Sequence, residues 1–211
     1  TPDSFSGDGE LDLHSAVDQA KNFELLGADI IDVGGESTRP SSLYHDSKPV
    51  SIEQELTRVI PVIKAITKEI GLPVSIDTYK SQVALEALSA GASMINDVWG
   101  FKADFQMSSV VAHADVPVVI MHNQKNTEYE DLVPDVISSL EKLKYEAINK
   151  GVNPGNIILD PGIGFGKTPE QNLQILRRLE EFTTLGQPIL IGTSRKSTIG
   201  LVLNLPVEDR I

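Results

Sequence analysis

Acceptor side chains stand at the ends of three apolar runs: Asp77 closes Val74-Ser75-Ile76, Asn96 follows Met94-Ile95, and Asp160 follows Ile157-Ile158-Leu159. A carboxylate accepts two parallel N–H bonds, and an amide both accepts and donates, so the set suits a flat heterocycle rich in N–H groups. Arg39, Arg195 and Lys196 supply positive charge, with Lys167 as a further candidate. Arginine matches carboxylate or phosphate oxygens in fork geometry. A ligand with a polar ring and an anionic tail would use both kinds of group.

Each residue also has an ordinary structural reading. A strand-end Asp often caps the next helix or makes a turn, and Asn96 with Asp97 would pass as turn residues. His122 is more often a satisfied structural histidine than a ligand or base, and Trp99 more often simply packs. Arg195 and Lys196 read as the solvated start of a helix, although cations there oppose the macrodipole. Ser194 lacks the Gly-x-Ser-x-Gly surround of a nucleophile elbow. The stretch DPGIGFGKT, Asp160 to Thr168, imitates a phosphate-binding loop. Counting back from Gly166-Lys167-Thr168, that loop's first Gly would fall at Pro161, which has no N–H to offer. The argument for a ligand site is collective. Polar clusters beginning at Asp32, Ser75, Ile95, Met121, Asp160 and Gly192 all follow apolar runs.

Those runs read as short strands buried on both faces: Ile30 to Gly34, Val74 to Asp77, Met94 to Val98, Val116 to Met121, Ile157 to Asp160 and Ile189 to Gly192. Helical stretches lie between them at His14 to Leu26, Ile52 to Ile70, Ser81 to Ala90, Asp135 to Lys150 and Pro169 to Phe182, with a weaker one over 104–114. Thr168-Pro169-Glu170-Gln171 is a capping box with Pro at the first helical position. Alternation without a linker predicts one parallel α/β domain over residues 1–211. Polar, Gly-rich sequence follows nearly every strand, while the return turns are short and plain. That favours a closed (β/α)8 barrel over an open doubly wound sheet. Thr1 and Ile211 fall in loop-like sequence, so the first and last strands are expected to lie outside the chain, leaving the barrel incomplete.

Composition narrows the function. With 211 residues, 40% of them hydrophobic, the chain can bury a substantial core. A net charge of −12 argues against a general nucleic-acid or membrane surface, so an anionic ligand needs a local basic pocket. The absence of Cys excludes disulfides, Cys-metal sites and a thiol nucleophile. No apolar run approaches the roughly 18 residues of a membrane span.

The motifs TPDSF, DVGGESTRP, SIDTYK, INDVWG, MHN, DPGIGFGKT and GTSRKS occur in this order along the whole chain. In this the sequence resembles the dihydropteroate synthases, pterin-binding (β/α)8 barrels of folate biosynthesis in the cytoplasm. The resemblance implies a transferase that joins 6-hydroxymethyl-7,8-dihydropterin diphosphate to p-aminobenzoate, giving dihydropteroate and pyrophosphate, and that sulfonamides inhibit. It implies catalytic roles for Asp77, Asp160, Arg195 and Lys196. Asp77, Asn96, Val98, Met121, Asp160 and Lys196 would hold the pterin. Thr38, Pro40, Phe165, Lys196 and Ser197 would receive p-aminobenzoate, and Arg39 and Arg195 the diphosphate. Asp3 and Phe5 would be contacts from a first loop, Thr1 to Gly9, closing with a second, Ser37 to Asp46.

Mg²⁺ is the implied cofactor. In the family an Asn two residues before this Thr-Pro pair serves the metal, and an Arg and a His on the last strand serve the anion. These lie outside the chain, which is therefore expected to bind diphosphate poorly. The first loop reads SFSGDGE where the commoner pattern is SFSDGG. The implied partners are small molecules and a second copy in a homodimer, with neither nucleic acid nor membrane. Two alternatives stand beside the synthase: a pterin-binding methyltransferase domain, which has no use for the ESTRP and SRKS motifs, and a non-catalytic fragment that retains the pocket.

Overall fold

The computed structural model describes residues 12–37, 50–206 and 209–210. Helices and strands alternate as α1 (Leu13–Leu25), β1 (Ile31–Gly34), α2 (Ile52–Glu69), β2 (Val74–Asp77), α3 (Ser81–Ser89), β3 (Met94–Asp97), α4 (Met107–Ala114), β4 (Val118–Met121), α5 (Leu132–Asn149), β5 (Ile157–Asp160), α6 (Pro169–Arg177) and α7 (Ser197–Leu203). All five strands are parallel and pair in chain order, β1 to β5. A doubly wound sheet reverses its order at a switch point. This sheet does not, which is the sequential winding of an α/β barrel.

The register sorts the strand residues onto two faces. Ile31, Val74, Ile76, Ile95, Val118, Ile120, Ile157 and Leu159 share one face. They are buried against Val59, Ile63, Val83, Val111, Leu140 and Ile175 of the helices, forming the main core. Asp32, Asp77, Asn96, Met121 and Asp160 share the opposite, inward face. A second, small apolar cluster of Val98, Met121 and Phe165, with Trp99 against it, sits at the ends of β3 and β4.

Three expectations are corrected. The predicted strand Ile189 to Gly192 appears as a single parallel bridge, Leu159 with Ile189. Leu159 donates to Pro188 O at 3.0 Å and Leu190 donates back to Leu159 O at 2.9 Å, but Pro188 has no N–H with which to extend the ladder. The helix predicted over Pro169 to Phe182 stops at Arg177, and the chain continues as the 3₁₀ turn Leu179–Leu185. There Thr183 and Thr184 hydroxyls donate to the carbonyls of Glu180 and Glu181, three residues back, which favours the tighter winding. Helix α5 begins at Leu132, earlier than the predicted Asp135. The Asp135 carboxylate reaches back to accept from Glu130 N at 2.8 Å and Asp131 N at 3.2 Å, and Pro134 sits in the first turn, where its missing N–H costs nothing.

Candidate active site

The C-terminal ends of the strands place the predicted acceptors together on the inward face. Asp77 and Asn96 are register partners, as are Met121 and Asp160. Asn96 Nδ2 donates to Asp32 Oδ2 at 3.2 Å, which commits the amide nitrogen to the protein and leaves its oxygen to accept. Asp77 Oδ1 is buried and has no hydrogen-bond partner. Burial first, then the neighbouring carboxylates of Asp32, Glu55 and Asp97, push its pKa well above the usual carboxylate range, with Lys196 opposing. A buried acceptor without a donor is costly to maintain and is rare unless a ligand or an ordered water satisfies it. Asp97, next in sequence, faces the other way. It is 1% exposed and accepts from Trp99 N and Phe101 N, so it builds the turn after β3, and burial raises its pKa to about 6.

DPGIGFGKT turns back over the strand ends. Asp160 is buried, and its Oδ1 accepts from Gly162 N at 2.6 Å. Burial raises its pKa against the pull of that N–H, Lys196 and Lys167. Gly162 has φ +73, and a Cβ there would lie 2.0 Å from His122 O, so no other residue fits. Lys167 does not reach outward as a phosphate-binding lysine would. It is 8% exposed, and its Nζ sits 3.0 Å from each of Gly162 O, Phe165 O and His122 Nδ1. Burial pulls its pKa down to about 7. Burial, with Lys167 and Lys102 nearby, pulls that of His122 down to about 3. His122 is therefore neutral near pH 7.

The opposite wall comes from the segment before α7. Lys196 is buried and donates to Ile163 O at 2.6 Å, and its Nζ lies 5.0 Å from the centre of the Phe165 ring. Burial lowers its pKa while Asp160 and Asp77 hold it up, so the ammonium lies within electrostatic reach of both carboxylates. Arg195 adopts φ 49, uncommon for a residue with a side chain, and its Nε is buried without a partner. Ser197 is the half-buried first residue of α7. Val98 and Met121 meet Phe165 in the small apolar cluster. Thr38, Arg39, Pro40, Asp3 and Phe5, with Thr1 to Gly9 and most of Ser37 to Asp46, lie outside the described residues.

Several supporting residues escaped the sequence reading. Lys80 Nζ donates to Glu36 Oε2, to Glu55 Oε2 and, at 2.9 Å, to Val50 O. Tyr79 OH donates to Glu36, and Arg58 donates to Gly35 O at 2.7 Å. Lys80 therefore joins Glu36, just past β1, to Val50 and Glu55 at the start of α2. Burial works against the Lys80 charge, but the two carboxylates outweigh it and raise its pKa. Asn172 on α6 is 2% exposed, accepts from Gly164 N at 2.8 Å and donates to Thr198 Oγ1 at 3.1 Å, joining the β5 loop to α7. Only Glu36 with Tyr79 and Lys80 joins two of the motifs; Val50, Glu55, Arg58, Asn172 and Thr198 lie outside them, and no spacing in the sequence announces these contacts.

Comparison with known proteins agrees with this geometry. The pterin binding enzyme family matches residues 1–211. The chain is 55% identical to the dihydropteroate synthase of Clostridium beijerinckii, over 100% of this chain and 77% of that protein. Among solved structures it is similar to the dihydropteroate synthase of Clostridium difficile in the presence of pteroic acid, with TM-score 0.86 and 48% identity over 97% of this chain and 76% of that one. The Yersinia pestis dihydropteroate synthase with a sulfonamide drug gives TM-score 0.92 and 35% identity, over 100% of this chain and 77% of that one. The chain belongs to the pterin-binding enzyme family and, within it, to the dihydropteroate synthases.

Proposed function

We propose that residues 1–211 form one pterin-binding barrel domain that joins 6-hydroxymethyl-7,8-dihydropterin diphosphate to p-aminobenzoate. The observation that carries this reading is the buried, unpartnered Oδ1 of Asp77, on the same face as Asn96 and Asp160. Asp77 and Asp160 accept ring and amino N–H groups of the pterin, Asn96 adds its amide oxygen, and Val98 and Met121 pack on the ring. Lys196, between Asp160 and Phe165, bridges the pterin and p-aminobenzoate halves. Phe165, Thr38, Pro40 and Ser197 line the p-aminobenzoate side. Arg195 and Arg39 take the diphosphate, and Asp3 and Phe5 reach in from the first loop.

In the reaction the C–O bond between the pterin methylene and the diphosphate breaks. Pyrophosphate leaves with the electron pair, the buried carboxylates stabilise the methylene cation, and the aniline nitrogen then forms the C–N bond and releases one proton. No protein nucleophile is required, in keeping with a chain that lacks Cys. Mg²⁺ bound to the diphosphate would neutralise the leaving group. Among the described residues no group of three or more His, Asp or Glu could hold a metal ion, and Mg²⁺ commonly binds through substrate phosphates with one or two carboxylates and water instead. Among the described residues no helix is long and apolar enough to cross a membrane. The cytoplasm and a homodimer paired through the helical exterior belong to the same proposal, as does inhibition by sulfonamides, which imitate p-aminobenzoate.

Asp77→Asn tests the pocket. Replacing the carboxylate removes charge-assisted bonds, and affinity for the pterin diphosphate, measured by titration calorimetry, should fall by about 1.5–3 kcal/mol. Affinity unchanged from the parent protein would remove Asp77 from the pterin site.

A further inference from the structure

Lys167 belongs to the motif that imitates a phosphate loop, yet its Nζ is buried among acceptors of the protein itself. An ammonium has three N–H donors. Nζ of Lys167 lies 3.0 Å from each of Gly162 O, Phe165 O and His122 Nδ1, donating to the two carbonyls. These acceptors lie beside three proposed substrate contacts. His122 follows Met121 at the end of β4. Gly162 holds Asp160 Oδ1 through its own N–H at 2.6 Å. Phe165 packs in the cluster with Val98 and Met121. Gly162 O also closes the turn by accepting from Phe165 N at 3.1 Å. One buried side chain therefore ties the end of β4, the Asp160 carboxylate and the Phe165 ring into a single body.

We propose that Lys167 is a positioning residue: it fixes the Asp160 to Phe165 turn against β4 and so sets the relative placement of the pterin-binding carboxylate and the p-aminobenzoate-facing ring. This rests on the reading of Asp160 and Phe165 as substrate contacts. Without Lys167 the turn keeps its own backbone bonds but loses its side-chain tie to His122 at the end of β4, while the barrel core on the far face of the sheet is untouched.

Lys167→Met keeps the aliphatic stem and removes the three bonds. For p-aminobenzoate-dependent pyrophosphate release, kcat/KM should fall at least about tenfold, with a higher KM for p-aminobenzoate and weaker binding of pterin diphosphate. Leu140→Ala, in the core behind α5, serves as a control with lowered Tm and intact site, and its kinetic constants should stay within about twofold of the parent. A Lys167→Met protein within twofold of the parent, or losing no more than the Leu140→Ala control, overturns the proposal. Competitive acetylation of the unmutated protein tests the locked ammonium even where Lys167→Met does not fold. Lys167 should be strongly protected relative to the exposed Lys142 on α5, and equal labelling overturns the proposal. Protection is read without substrates. Failure of the synthase reading would appear as absent pyrophosphate release in the parent protein, whereas failure of the Lys167 role would appear as equal labelling or unchanged kinetics in a working enzyme.

Discussion

Asp77 and Asp97 end neighbouring strands, and burial raises the pKa of both, but only one is free to bind. Both Asp97 oxygens accept backbone N–H groups of its own turn, whereas Asp77 Oδ1 accepts nothing. The sequence placed both at a strand end. The pleat, which sends adjacent residues to opposite faces, separates the acceptor of the proposed pterin site from the turn-maker. His122 illustrates the reverse case. It is 3% exposed, flanked by cations, and its pKa falls to about 3 from an unfolded value near 6.5. The folded state then binds fewer protons than the unfolded chain between those values. The contribution is full above about pH 6.5 and is lost as pH falls toward 3, at up to about 1.4 kcal/mol per pH unit. Urea unfolding at pH 7.5 and pH 5 should show the parent losing more stability than His122→Asn. Equal losses would mean that His122 is not buried as a neutral ring.

Between elements, the decisive contacts are side chains that reach from one strand end to another. Gly35, just past β1, packs so tightly on α2 that a Cβ would come within 2.8 Å of Glu55 and Val59. Beside it Lys80 holds Glu36, Glu55 and Val50 O. Glu55 is 1% exposed, so removing the ammonium leaves a buried carboxylate facing a second one. Lys80→Met should cost about 3–5 kcal/mol in urea unfolding, and adding Glu55→Gln should restore part of it, because one unpaired charge is then gone. An unchanged unfolding midpoint for Lys80→Met would show the pair to be solvated and of little weight. This network was out of reach of sequence reasoning. Lys80 and Glu55 are 25 residues apart and join an α/β turn to a helix face. By contrast the Thr168 to Gln171 capping box, a local device, was legible and is present in both directions.

At the scale of the molecule, the alternation of elements and the five strands from Ile31 to Asp160 follow from apolar runs and turn residues, and the register puts the expected acceptors on one face. Boundaries set by tertiary partners were not legible. The run at Ile189 reads as a strand but makes one bridge, because pairing depends on neighbours and on Pro188. The role of Lys167 depends on which carbonyls the folded turn brings to it. The strand ends gather the acceptors Asp77, Asn96 and Asp160 on one face, with Lys196 within electrostatic reach of both carboxylates. The most direct test supplies the purified full-length protein with pterin diphosphate, p-aminobenzoate and Mg²⁺ and follows pyrophosphate. Release whose rate rises with p-aminobenzoate and saturates is the expected result. Release that is absent, or that ignores p-aminobenzoate, would contradict the assignment of this pocket to the synthase reaction.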